Sequence, residues 1–216
     1  MKILPSTLGA QIRLGVLVCI LVTVSYVFKA QVVLYRLEYA PQEGDVVFQS
    51  LPHEELVDAI EGVTHSPYSH CGVVLRKDNQ WVVIESIMDV HETPLFQWMI
   101  RGRSGGIAAY RLDAKFKSLL PEFAKNLVAY EGYPYDYDYE ISDKAIYCSE
   151  LPYKAFLKTT GEELGTLEKL GDLDWKPYQQ FIKAFQGNHV PLDRLMITPA
   201  SLSKAKQLQL VFRKGI

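Results

Sequence analysis

One long apolar stretch opens the chain, and shorter runs of two different periods follow it. From Leu14 to Phe28 the sequence LGVLVCILVTVSYVF carries no charge, with Lys2 and Arg13 before it and Lys29 after it. This is shorter than the roughly 20 residues that cross a bilayer, but the basic flanks can snorkel and apolar AQVVLY continues the run. The pattern predicts a spanning helix, with residues 1–35 as an anchor and residues 36–216 as one globular domain. A cleaved signal peptide wants small residues before the cut, and bulky Phe28 stands two positions before Ala30. An uncleaved anchor is therefore the first expectation, with secretion after cleavage as the alternative. A lipid-modified Cys19 is excluded because Val18 precedes it where a small residue is needed. Lys2 tips the positive-inside rule toward a cytoplasmic N-terminus, which would place the domain outside the inner membrane.

Beyond the anchor the periods change. GDVVFQ (44–49) reads as a first strand after a Gly-Asp turn, and PHEELVDAIEGV (52–63) as a helix with Leu56, Ile60 and Val63 on one face. HCGVVLR and WVVIESI are β-rich runs separated by KDNQ, whose Asp78-Asn79 signals a hairpin. A short helix and a basic glycine loop are expected in TPLFQWMIRGRSGG, and another strand in IAAYRL. KSLLPEFAKNLVAYEG and CSELPYKAFLKTTG read as helices ended by Gly132 and Gly161. GDLDWKPYQQFIKAF fits a further helix and LQLVFRK a last strand. Strands mixed with unevenly spaced helices, and at least one hairpin, argue for an α+β domain with an antiparallel sheet.

Composition adds what such a domain does not do. In 216 residues the net charge is -2 and no basic run stands out, so nucleic acid is not the expected partner. Of three cysteines Cys19 lies in the apolar segment, leaving Cys71 and Cys148, too few for a disulfide framework. In an oxidising compartment those two would be free to pair if they were close.

Strand alternation puts His70, Gly72 and Val74 on one face and Cys71, Val73 and Leu75 on the other. Cys71 faces an apolar row and reads as a small buried hydrophobe. A two- or four-residue hairpin loop puts Glu85 on the His70 face, either opposite it or diagonal to it, whereas a three-residue loop would pair Glu85 with Cys71. A carboxylate beside an imidazole fixes its tautomer and favours imidazolium. Pro152 suits a helix's first turn, so the helix in CSELPYKAF begins near Cys148 or Ser149. A thiol there is acidified by free amides and the macrodipole, and the same amides can hold an oxyanion.

In order along the chain, GDVVFQ, SHCGVV, VIES, YRL, GYPYD, YCSEL and TPASL resemble the permuted papain-fold amidases of the YiiX and YaeF type, distant relatives of NlpC-type hydrolases. The histidine precedes the cysteine here, as in that family. The resemblance implies a circularly permuted papain-like fold, Cys148 as nucleophile, His70 as general acid/base and Glu85 as the group orienting His70. Pro152 stands where the family has an apolar or β-branched residue. Gln49, Ser149 and Tyr135 are further candidates for oxyanion or substrate contact.

The expected activity is a membrane-anchored cysteine hydrolase or amidase, with acyl transfer to another acceptor as a variant, that acts through a thioester with no cofactor or metal. Its substrates would be amides or esters reachable at the envelope, peptidoglycan peptides or lipids. Two other readings compete. One is a metal-dependent hydrolase using His65, His70 and His91, although these lack a compact ligand spacing. The other is a non-catalytic envelope binding protein on the same scaffold. RGRSGG suggests contact with a phosphate or carboxylate, and the tyrosines of GYPYDYDYE suggest a substrate wall or a solvated loop.

Overall fold

The computed structural model describes residues 6–216, so Lys2 lies outside the described residues. Helix α1 (Ser6–Glu38) is continuous. Its segment Arg13–Glu38 is 26 residues long, enough in length and apolarity to cross a membrane. Side chains from Leu14 to Val27 are exposed, whereas Phe28, Val32 and Tyr35, with Tyr39 just beyond the helix, pack on the domain.

Six antiparallel strands make the main sheet, in the order β4-β3-β2-β1-β5-β8. They are β1 (Val46–Gln49), β2 (His70–Lys77), β3 (Gln80–Ile87), β4 (Asp89–Pro94), β5 (Ile107–Leu112) and β8 (Leu208–Lys214). Between β1 and β2 lies α2 (Glu55–Thr64), and α3 (Leu95–Arg101) follows β4. Next come α4 (Leu120–Val128) and α5 (Glu150–Thr160). A two-stranded ribbon of β6 (Glu168–Lys169) and β7 (Leu195–Met196) brackets α6 (Gln179–Phe185), and α7 (Pro199–Ser203) precedes β8.

Alternation builds two cores on the two faces of the sheet. Phe48, Cys71, Val73 and Ile84 pack with Phe123, Leu151 and Phe156 from α4 and α5. Val47, Val74 and Val83 pack with Trp98 and Met99 of α3 and Val32 of α1. Trp98 is fully buried, which contributes roughly 2–3 kcal/mol. Asp45, also fully buried, ties these parts together. It accepts from the Tyr39 hydroxyl at 2.8 Å, from Arg111 Nε and Nη2 at 2.7 and 2.9 Å, and from the Gln42 amide at 2.9 Å.

Several boundaries moved from those expected. Pro52 lies outside α2, and the expected helix ending at Gly132 begins instead with a 3-10 segment (Ala114–Leu119) and stops at Val128. Strand β4 was not foreseen. Its sequence DVHETP is polar and ends in proline, which suits an edge position with one free flank.

Candidate active site

The hairpin sets the site's register. Asp78 and Asn79 both have positive φ, 46° and 62°, as the two central residues of a tight hairpin turn require. The turn pairs Lys77 with Gln80 and carries the register back to Gly72 opposite Glu85. His70 is then the diagonal neighbour of Glu85 on the same face, and its Nε2 lies 2.5 Å from Glu85 Oε2. Glycine at 72 leaves room for this approach. A Cβ there would meet Val83 Cγ1 at 2.5 Å and Glu85 Cβ at 3.2 Å.

Glu85 is fully buried and fully occupied. Besides His70 it accepts from Thr93 Oγ1 at 2.6 Å, from Trp98 Nε1 at 3.0 Å, and from the Arg101 guanidinium. Trp98 and Arg101 are three residues apart and so share one face of α3. Burial works against the Glu85 charge, but bonding to His70 and Arg101 outweighs it and brings the carboxyl down to about 2. Burial likewise works against charge on His70, and its bonds to Cys148 and Glu85 prevail, raising it to about 9.

Pairing between β2 and β3 stops at Gly72–Glu85, although β3 runs on to Ile87. Past that point the Ser86 hydroxyl donates to the Ile146 carbonyl at 2.6 Å, so the segment leading to Cys148 lies beside β3 there. The Leu151 amide bonds back to the Tyr147 carbonyl at 3.2 Å, placing Cys148 in the opening turn that leads into α5. Pro152, third residue of α5, lies in its first turn, where proline is tolerated. Cys148 keeps 3% of its surface exposed. Its sulfur is held well below the usual thiol range, first by the Cys71 thiol and then by His70, with burial opposing them. The Cys71 backbone amide also faces it.

Cys71 is therefore more than the apolar filler its face suggested. It is buried and its own ionisation is pushed up by burial, yet its thiol helps hold the Cys148 sulfur below the usual thiol range. Strand alternation does separate Cys71 from His70, but a third chain segment, entering at the end of the β2–β3 ladder, reaches both. All three cysteines are free thiols.

The other candidates are distributed unevenly. Gln49 pairs directly with His70 across β1 and β2, so it shares that face, and its buried amide has no protein partner. Its Oε1 sits close over Gly102, 2.6 Å from where a Cβ would stand. The Ser149 hydroxyl donates to the Ile197 carbonyl at 2.7 Å, leaving its backbone amide as its nearer link to the site. Tyr135 lines a cleft of about 250 Å³ together with His70, Leu56, Ile60, Met88 and Tyr137. The tyrosine loop is a packed wall: the Tyr135 and Tyr137 rings pack tilted at 4.9 Å, and the Tyr139 ring lies 5.2 Å from that of Tyr147, the residue before Cys148. RGRSGG also proves internal, since Arg101 binds Glu85 and Arg103 binds Glu61 at 3.1 Å. The roles of Thr93, Trp98 and Arg101 were not anticipated; only the basic character of RGRSGG pointed toward a carboxylate.

His65 pairs with Asp174 at 3.2 Å on the surface, and His91 Nε2 is 4.0 Å from Glu85 Oε1. Among the described residues no three His, Cys, Asp or Glu side chains are grouped to hold a metal.

A mixed sheet-and-helix domain with histidine on a strand upstream of a helix-start cysteine has the order of a permuted papain fold. The chain belongs to the permuted papain-like amidase family of YaeF and YiiX, whose model matches residues 40–212. It is 30% identical over 179 residues to the uncharacterized protein YiiX of Escherichia coli (strain K12), covering 82% of this chain and 88% of that protein. It also resembles the crystal structure of the metalloprotein YiiX from Escherichia coli O157:H7, with a TM-score of 0.77 and 31% identity. That match covers 82% of this chain and 99% of the other.

Proposed function

We propose that the protein is a membrane-anchored cysteine amidase that cleaves an amide or ester through a thioester on Cys148. The supporting observation is the convergence of Cys148 and Glu85 on one buried imidazole, His70. Glu85, held ionised by Arg101 and Trp98, keeps Nε2 of His70 protonated and turns the rest of the ring toward the thiol. Bonding between the two side chains favours the thiolate–imidazolium form of the pair. The Cys148 thiolate attacks the carbonyl carbon, and backbone amides at the opening of α5 favour the negative oxygen that forms. His70 passes its proton to the departing amine or alcohol, leaving an acyl thioester. Water, deprotonated by His70, then hydrolyses the thioester and restores the thiolate.

Helix α1 serves in this reading as the anchor, with the domain on the extracytoplasmic side and lipids or cell-wall peptides within reach. The YiiX relative is described as a metalloprotein. The residues here do not fit a metal at this site. Glu85 already accepts four donors, and one of them is a guanidinium whose charge would repel a cation. The test is turnover of acyl amides and esters by the full chain beside its Cys148→Ala variant. Loss of turnover in the variant is expected, and turnover that persists would overturn the proposal.

A further inference from the structure

The C-terminal turns of α1 belong to the domain. Val32 is fully buried, and Gly105 approaches so closely that a Cβ there would stand 2.3 Å from Val32 Cγ2 and 3.6 Å from Phe28 Cε2. Further along, the Tyr39 hydroxyl donates to Asp45 and the Tyr39 ring stacks on Phe212 at 5.3 Å. From these contacts the helix runs back unbroken into the exposed apolar residues 14–27.

The two contacts give the domain a direction. Strand β1 starts beside Asp45, which Tyr39 holds, and just past its end the Arg103 amide donates to the Ser50 carbonyl at 2.6 Å. Arg103–Gly105 is the 3-10 turn that meets Phe28 and Val32. Strand β1 therefore runs antiparallel to α1. The lengths agree, since the helix from Phe28 to Tyr39 and the strand from Asp45 to Ser50 each cover about 17 Å. Gln49, His70 and Glu85 all lie toward the Ser50 end of the sheet, the end nearer the apolar half of α1.

Depth follows from length. Residues 14–27 rise about 21 Å, short of the roughly 30 Å hydrocarbon core of a bilayer. Counting about 20 residues from Leu14 puts the boundary near Val33. Here the helix side turned away from the domain is apolar, with Ala30, Val33, Leu34 and Leu37 exposed. Lys29, exposed in the same turns, has a stem long enough to bring its ammonium to the headgroups. The boundary thus falls beside the contact of Val32 with Gly105. The two ends of the sheet differ to match. Met88, 80% exposed, and Tyr137, 53% exposed, stand at the rim of the cleft at His70, whereas the opposite end presents Glu43, Lys77 and Asp78. Exposed His53 and Glu54 beside the cleft limit that end to headgroup depth, because charge in hydrocarbon is costly.

We propose that the bilayer crossed by α1 is also the surface on which the active-site end of the domain rests, so that the cleft at His70 opens at headgroup depth. This rests on the anchor reading and deepens it, and it does not depend on the chemistry at Cys148.

The test is bimane fluorescence from Met88→Cys, Ser104→Cys or Glu43→Cys in the full chain, with Cys19→Ala, Cys71→Ala and Cys148→Ala removing the native thiols. Each labelled protein is reconstituted in vesicles of phosphatidylcholine and phosphatidylglycerol, with or without a phosphatidylcholine carrying a nitroxide on its headgroup. The nitroxide should quench the labels at 88 and 104 and leave the label at 43, about 17 Å further from the bilayer, unquenched. Positions 88 and 104 lie in separate turns, so if one variant does not fold the other decides. Quenching at 43 as strong as at 88 and 104, or no quenching at any of the three, would overturn this orientation while leaving the anchor intact. A full chain that does not float with the vesicles would overturn the anchor itself, and the orientation with it.

Discussion

Gly72 and Glu85 stand directly opposite one another in the β2–β3 ladder, and the missing side chain at 72 is what lets the His70 ring approach the carboxylate. Any Cβ at 72 meets Val83 and Glu85. Gly72→Val should therefore destabilise the domain by about 1–3 kcal/mol and lower kcat/KM more than stability alone accounts for. Thermal unfolding together with kinetics at a temperature where both proteins are folded checks this.

The His70–Glu85 pair gives stability a bell-shaped dependence on pH. Glu85 is brought down to about 2, so its contribution is present above its ordinary value near 4.5 and is lost as pH falls through about 2. His70 is raised to about 9, so its contribution is full below its ordinary value near 6.5 and is lost as pH rises through about 9. The pair stabilises most between about 4.5 and 6.5. Glu85→Gln should flatten the alkaline decline and cost on the order of 3 kcal/mol near pH 6, since Arg101 is left without its charge partner. Denaturant midpoints from pH 4 to pH 10 test both statements.

The two domain cysteines should react very differently. The Cys71 thiol and His70 push Cys148 toward the thiolate, whereas burial pushes the Cys71 thiol the other way. Iodoacetamide at pH 6 should label Cys148 at least tenfold faster than Cys71. Peptide mapping by mass spectrometry reads the ratio, and preferential labelling of Cys71 would invert the assignment.

Asp45 links the end of α1 to the sheet through Tyr39 and Arg111. Asp45→Asn leaves the Arg111 charge without its carboxylate and should cost about 3 kcal/mol. Faster proteolysis of the 36–44 segment is the expected sign that α1 has loosened from the domain.

How much of this was readable in the sequence depends on range. Asp78-Asn79 and the flanking alternation specify the hairpin locally, and the hairpin alone puts Glu85 on the His70 face. The start of α5 was equally local, because Pro152 tolerates only a first turn. What could not be read were contacts made by chain segments meeting at a distance. Arg101 looked like part of a ligand loop, but its partner is a buried carboxylate on another strand. Cys71 looked inert because alternation says which face a residue occupies, not which segment arrives there from 77 positions further on, the separation between 71 and 148.

A cysteine amidase of this kind carries a covalent acyl group on Cys148 during turnover, and intact-protein mass spectrometry after rapid acid quench of an ester reaction detects it. A mass increase equal to the acyl group is expected, mapped to the peptide containing Cys148, released by hydroxylamine and absent from Cys148→Ala. An adduct on another residue, or turnover without any adduct dependent on Cys148, would contradict it.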